Sequence, residues 1–146
     1  MTEVSRDIRR CALQTLYQMD ILSDATSESV AVGLEDGPFS ERAQEEGRQL
    51  ARGAWAAREQ LDLLVKPFSP EWPTHRQPII DRNILRLALH EINHVGTPGK
   101  KAINDAVELA KEFGTEKSPA FVNAVLDQIW KSEAPRESSE PDGVTG

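Results

Sequence analysis

The sequence predicts an all-α fold of about six helices, and three observations carry that expectation. No stretch alternates apolar and polar residues with period two over the length of a strand. Apolar side chains recur instead at three- and four-residue spacings, from Thr2 to Ser132. Glycine, proline and small hydroxyl residues then break the pattern at intervals that suit helix ends.

The first helix is expected from Thr2 to Leu22, with Val4, Ile8, Cys11, Ala12, Leu16 and Met19 on its buried face. A short, weakly patterned helix follows between Asp24 and Asp36 and ends at Asp36-Gly37-Pro38. Ser40 caps a long third helix with Glu41, Glu45 and Glu46 near its positive end, ending before Pro67. Gly47 and Gly53 inside it weaken the helix by about 1 kcal/mol each relative to Ala, so they are expected where a neighbour comes close. The proline-rich segment from Pro67 to Pro73 is a connection anchored by Trp72.

The fourth helix, Pro78 to His94, is apolar over about half its circumference, which places it centrally between two packing partners. Arg82, Arg86, His90 and Asn93 form its polar stripe. Thr97-Pro98 is expected to cap and start the fifth helix, which buries Ile103, Ala106, Val107, Ala110 and Phe113. Gly114 is expected to supply a left-handed stop. Ser118-Pro119 repeats the cap-and-proline start for the sixth helix, which buries Val122, Val125, Leu126 and Ile129. Residues 1–132 thus form one helical domain, and 133–146 read as a disordered acidic tail.

Composition narrows the function. A chain of 146 residues can bury a core without metals or disulfides, and the single Cys11 excludes an internal disulfide and a thiolate metal cluster. No apolar run approaches a membrane span and no signal peptide is evident, so a soluble cytoplasmic protein is expected. His75, His90 and His94 lack metalloprotease spacing, Cys11 lies on the buried face, and no phosphate-binding glycine loop is present. The chain reads as a binding protein without cofactor or metal, not an enzyme. A net charge of −7 argues against a protein that coats nucleic acid non-specifically, but leaves room for one local basic patch.

Such a patch is present on the first helix. Arg6, Arg10, Leu13 and Tyr17 share the side opposite the core, with Arg9 flanking them. Guanidiniums that neutralise phosphate beside an aromatic platform suit single-stranded nucleic acid. The plainer reading is a solvated face with Tyr17 packed on a neighbour. A second candidate is the start of the last helix, where Lys117, Ser118 and Phe121 lie close to free backbone N–H groups; here the plainer reading is a core phenylalanine. A third is acidic: Asp81 and Glu91 fall within or beside the apolar arc of the fourth helix. Carboxylates there either pair with a buried Arg or cap a neighbouring helix, or else hold a basic partner protein.

Three linked segments carry a family resemblance. The run from Ala102 to Lys111, then Phe113-Gly114, then Phe121 to Asp127, resembles the NusB family signature, with conservative differences at Asp105 and Ala124. Ile80 to Ile92 resembles the family's central helix and Arg10 to Tyr17 its first. The resemblance implies two packed antiparallel helical lobes. It also implies a transcription antitermination factor that pairs with NusE, a small-subunit ribosomal protein, and binds the boxA element of ribosomal RNA leaders. Terminator read-through by the RNA polymerase antitermination complex and ribosomal RNA maturation are the implied outcomes. It maps RNA contacts onto Arg6, Arg9, Arg10, Tyr17 and Phe121, and a NusE-facing role onto Asp81. Monomer and homodimer both occur in the family, so that choice stays open.

Where family members often have a denser arginine cluster, Ser5 and Asp7 are interleaved here, which predicts weak RNA affinity without NusE. Lys117 stands where relatives are often acidic and adds a phosphate contact, whereas Lys101 receives no role. Three rival readings exist. A helical protein–protein adaptor without intrinsic RNA binding fits the acidic balance. A helical module preceding a ribosomal RNA methyltransferase would need a further domain. A DNA-reading helix-turn-helix fits poorly with the acidic face of the fifth helix.

Overall fold

A computed structural model of the chain describes residues 4–22 and 38–142, with side-chain positions through residue 132. Every regular element among the described residues is helical. They are α1 (Arg6–Leu22), α2 (Glu41–Ala56), α3 (Arg58–Val65), α4 (Ile79–His90), α5 (Gly99–Phe113) and α6 (Ser118–Asp142). The helix expected between Asp24 and Asp36 lies outside the described residues. α6 continues as backbone past 132, where the apolar periodicity ends.

The lobes follow from which faces are apolar. α1 packs along α2 to form one lobe, and α5 packs along α6, across the short turn 114–117, to form the other. α4 runs between them and touches all five other helices, as its broad apolar arc requires. Ile84, Leu85, Leu87, Ala88 and Leu89 are all buried in this layer. Truncating one of its leucines to alanine costs about 2–5 kcal/mol at such a site. Gly47 permits the close approach within the first lobe, because a Cβ there would lie 2.5 Å from the Cβ of Cys11. Cys11 is fully buried, and that burial pushes its thiol pKa up to about 11, so it is no nucleophile near neutral pH.

Several local expectations are corrected. The long third helix is two, α2 and α3, broken at Ala57 (φ −96°, ψ 6°). The Arg58 guanidinium stabilises the break by donating to the Trp55 carbonyl at 2.8 Å and stacking 4.0 Å from the Trp55 ring centre. The fourth helix ends at His90 and widens into a π turn, Glu91–Val95. Gly96 then closes it in the left-handed region (φ 92°), with its N–H donating to the Glu91 carbonyl at 2.9 Å. Thr97 does not cap α5, because its hydroxyl donates to Glu91 Oε1 at 2.9 Å and Pro98 holds the cap position. Gly114 is extended (φ −95°, ψ −165°) rather than left-handed.

Of the polar stripe expected on the fourth helix, Asn93 is exposed, but Arg82 and Arg86 are engaged by carboxylates of neighbouring helices. Arg82 forks onto Asp20 with two bonds of 2.7 Å, and Arg86 forks onto Asp62 at 2.8 and 2.9 Å. Buried Asn83 adds a bond to Asp20 at 2.9 Å, so the cluster ties the end of α1 to α3 through α4. Burial opposes ionisation of Asp20, but the bonds from Arg82 and Asn83 outweigh it and hold its pKa below the ordinary value. Among the described residues no helix is long and apolar enough to cross a membrane, and no group of three or more His, Cys, Asp or Glu could hold a metal ion.

Candidate nucleic-acid interface

The helical period of α1 sends successive arginines in different directions. Arg9 turns inward and is 3% exposed. Its Nε and Nη2 donate to Glu91 at 2.9 and 2.7 Å. Its Nη1 reaches the Val4 carbonyl at 2.8 Å and Asp105 at 2.9 Å. Lys101, which received no role from sequence, completes this bracket with an ion pair of 3.2 Å to Asp105. Arg9 is therefore corrected: its donors are consumed in the interior, where they join α1 to the π turn and α5.

Arg6 and Arg10 remain outside. They line a cleft of about 210 Å³ between α1 and α5, together with Arg9, Leu109, Lys111 and the carboxylates Asp105, Glu108 and Glu112. Arg10 Nε donates to both carboxylate oxygens of Glu112 at 3.0 Å, and its Nη1 donates to Asp7 at 2.9 Å. The bond to Glu112 is the main cause that raises the Arg10 pKa, so the group is a cation at any working pH. Arg6 is exposed and pairs with no carboxylate among the described residues.

Further along the same face Tyr17 is 37% exposed. Leu13, expected beside it on the surface, is buried, because α4 and α5 reach this side of α1. It forms part of a groove of about 270 Å³ with Gln14, Tyr17, Gln18, Ile80 and Phe113. The plainer reading of Tyr17, packed on a neighbour, is thus half right: the ring borders a groove but stays accessible.

The second candidate region is bonded to α4 one residue past this groove. Asp81, which follows the groove residue Ile80, accepts from the buried Ser118 hydroxyl at 2.7 Å. The same hydroxyl oxygen accepts from the Thr115 N–H at 2.9 Å. Burial raises the Asp81 pKa, and the Ser118 hydroxyl works against that rise. Ser118 and Asp81 are corrected as surface contacts, since they bracket α4 to the start of α6 inside the protein. Glu91, 1% exposed, is corrected likewise as the counter-ion of Arg9. Of the two readings for a carboxylate in that arc, the internal bond is the one seen. Lys117 stays exposed, and Phe121 is half-buried. Its ring meets Trp72 edge to face with centroids 5.1 Å apart.

The structure therefore leaves Arg6, Arg10 and Tyr17 accessible along one side of α1, leaves Lys117 and part of Phe121 accessible at the start of α6, and withdraws Arg9, Ser118, Asp81 and Glu91 into brackets between helices. It also adds Gln14, Lys111 and Phe113, which the sequence reading did not single out. Gln14 was detectable, because it shares the Arg10 side of the α1 wheel. Lys111 and Phe113 were not, because only the packing of α5 on α1 carries them there. The face holds bases for phosphate and rings for stacking, and no nucleophile or acid–base pair stands in it.

Comparison with known proteins gives one consistent answer. The model of the NusB family matches residues 6–131. The transcription antitermination protein NusB of Chloroflexus aggregans is 40% identical over 137 residues, covering 91% of each chain. That of Symbiobacterium thermophilum is 40% identical over 133 residues, covering 85% of this chain and 87% of the relative. Among solved structures, T. maritima NusB superposes with a TM-score of 0.78 at 33% identity, over 96% of this chain and 99% of that one. A chain from the crystal structure of antitermination factors NusB and NusE in complex with dsRNA superposes with a TM-score of 0.77 at 25% identity, over 90% and 99%.

Proposed function

The chain belongs to the NusB family of transcription antitermination factors, and from that premise we propose that it pairs with NusE and binds the boxA element of ribosomal RNA leaders. It acts in the cytoplasm by binding rather than by catalysis. The bound pair joins the RNA polymerase antitermination complex, promoting terminator read-through and ribosomal RNA maturation. The observation that carries this reading is the accessible side of α1 that presents Arg6, Arg10 and Tyr17, together with Lys117 and half-buried Phe121 at the start of α6. Arg6, Arg10 and Lys117 take phosphates, while Tyr17 and the rim of Phe121 offer platforms worth about 1–3 kcal/mol per stacked base. Arg9–Glu91 and Asp81–Ser118 serve from below by fixing the helices that present those side chains. A NusE partner supplies positive charge that a chain of net charge −7 lacks. A homodimer that covered this face would be an RNA-free form. The domain 1–132 carries the activity.

The test is fluorescence anisotropy of labelled boxA RNA against a shuffled RNA, titrated with this protein alone and with NusE. Tighter, boxA-selective binding with NusE, lost in Arg10→Ala and Tyr17→Ala, is the expected result. Equal binding of both RNAs with NusE present would instead leave a helical protein–protein adaptor.

A further inference from the structure

We propose that Glu112, assisted by Asp7, is a built-in competitor for RNA phosphate at Arg10 and sets how tightly the face binds RNA. The inference rests on the RNA-binding reading and goes beyond it by naming what restrains the site. Both oxygens of Glu112 lie 3.0 Å from Arg10 Nε, and Asp7 takes Nη1 at 2.9 Å. A phosphate offers the same kind of oxygen to the same fork, so it must displace these carboxylates or share the guanidinium with them. Glu112 lines the cleft that Arg6, Arg10 and Lys111 also line, so a phosphate entering there meets the negative charge directly.

The contact can open without unfolding anything. The side chains of Arg10 and Glu112 are 27% and 42% exposed, and that of Asp7 is 55% exposed. Exposed pairs of this kind are weak and salt-screened, so a multiply charged RNA strand can break them. Arg6 provides the internal contrast: Asp105 and Glu108 line the same cleft, but among the described residues no carboxylate pairs with Arg6 as Glu112 and Asp7 pair with Arg10. Arg6 is the open contact and Arg10 the restrained one. Basic charge on the first helix is thus partly cancelled before RNA arrives, which gives a physical cause for the low affinity expected of this chain alone.

The experiment is a double-mutant cycle on the full chain, titrated into fluorescein-labelled boxA RNA with NusE present. Glu112→Gln is expected to tighten RNA binding by about three- to tenfold, a gain no misfolded variant can produce. The gain should vanish in an Arg10→Ala background and persist in an Arg6→Ala background. A gain that survives Arg10→Ala would overturn the proposal, because it would reflect net charge rather than release of Arg10. Unchanged affinity in Glu112→Gln, with Arg10→Ala still weakening RNA, would also overturn it while leaving the RNA reading intact. If neither Arg10→Ala nor Tyr17→Ala affects RNA, the RNA reading falls and the competitor role falls with it.

Discussion

Arg9 and Arg10 are adjacent in sequence and on the same helix, yet one is part of the core and the other part of the working surface. The Arg9 guanidinium meets Glu91, Asp105 and a backbone carbonyl, with a side-chain exposure of 4%. The Arg10 guanidinium meets Glu112 and Asp7 at similar distances, with a side-chain exposure of 27%. Geometry alone does not separate them. Solvent does: the interior pair cannot fall back on water if one partner is lost, whereas the surface pair can. A short ion pair therefore marks a structural joint in one place and a releasable contact in the other.

The largest effect expected from this comparison is on the interior side. Arg9→Ala or Glu91→Ala leaves a buried charge unpaired, at a cost of about 3–5 kcal/mol. Arg10→Ala should change stability by less than about 1 kcal/mol. Urea denaturation of the three variants measures both. A loss in Arg9→Ala no larger than in Arg10→Ala would break the distinction.

A smaller effect is expected at the second interior bracket. Ser118→Ala removes the hydroxyl that donates to Asp81, leaving a buried carboxyl short of a donor, for a loss of about 1–3 kcal/mol. Because burial raises the Asp81 pKa, the folded protein favours the neutral carboxyl more than the unfolded chain does. Its contribution to stability is fully present below the unfolded carboxyl pKa and is lost as pH rises through the folded one. Removing the Ser118 hydroxyl strengthens that trend. Comparing Ser118→Ala with the parent by thermal melts at pH 4 and pH 7 should therefore show the larger deficit at pH 7. An equal deficit at both would mean that the bond does not stabilise the carboxylate.

The smallest effect concerns a half-buried histidine whose surroundings disfavour its cation. His90 Nδ1 is buried without a hydrogen-bond partner, and the His94 ring centre lies 5.3 Å away. Burial first, then the charge of His94, lowers its pKa below the ordinary 6.5. Arg42, Glu45 and Glu46 line the groove on one side of it and Glu59 the groove on the other, and the net direction remains downward. The stability contribution is therefore complete above the unfolded histidine value and is lost as pH falls through the folded one. His90→Gln should flatten this loss between pH 7 and pH 5 in urea titrations. An unchanged slope would show that the interior accepts the His90 cation as readily as it accepts that of Arg9.

How much of this was readable in advance depends on the range of the signal. Helix type, the central position of α4 and the close approach at Gly47 follow from spacings within a dozen residues. Arg6, Arg10 and Tyr17 were identified on the wheel and do remain accessible. Arg9 was not distinguishable from them, because its partner Glu91 is 82 residues away. The break at Ala57 was equally hidden, since no glycine or proline marks it and the Arg58 side chain compensates it locally.

The sequence by itself determined the helical class, the lobe-forming apolar faces and the azimuth of each side chain about its own helix. That information is local, because a backbone period and a polarity pattern suffice to express it. Only the tertiary structure decided which charges became core. A helical wheel states the direction of a side chain but not what stands in that direction. For Arg9 it was Glu91 and Asp105, and the shielding of that contact from water made it permanent. For Arg10 it was Glu112 at the edge of an open cleft, where solvent keeps the contact exchangeable.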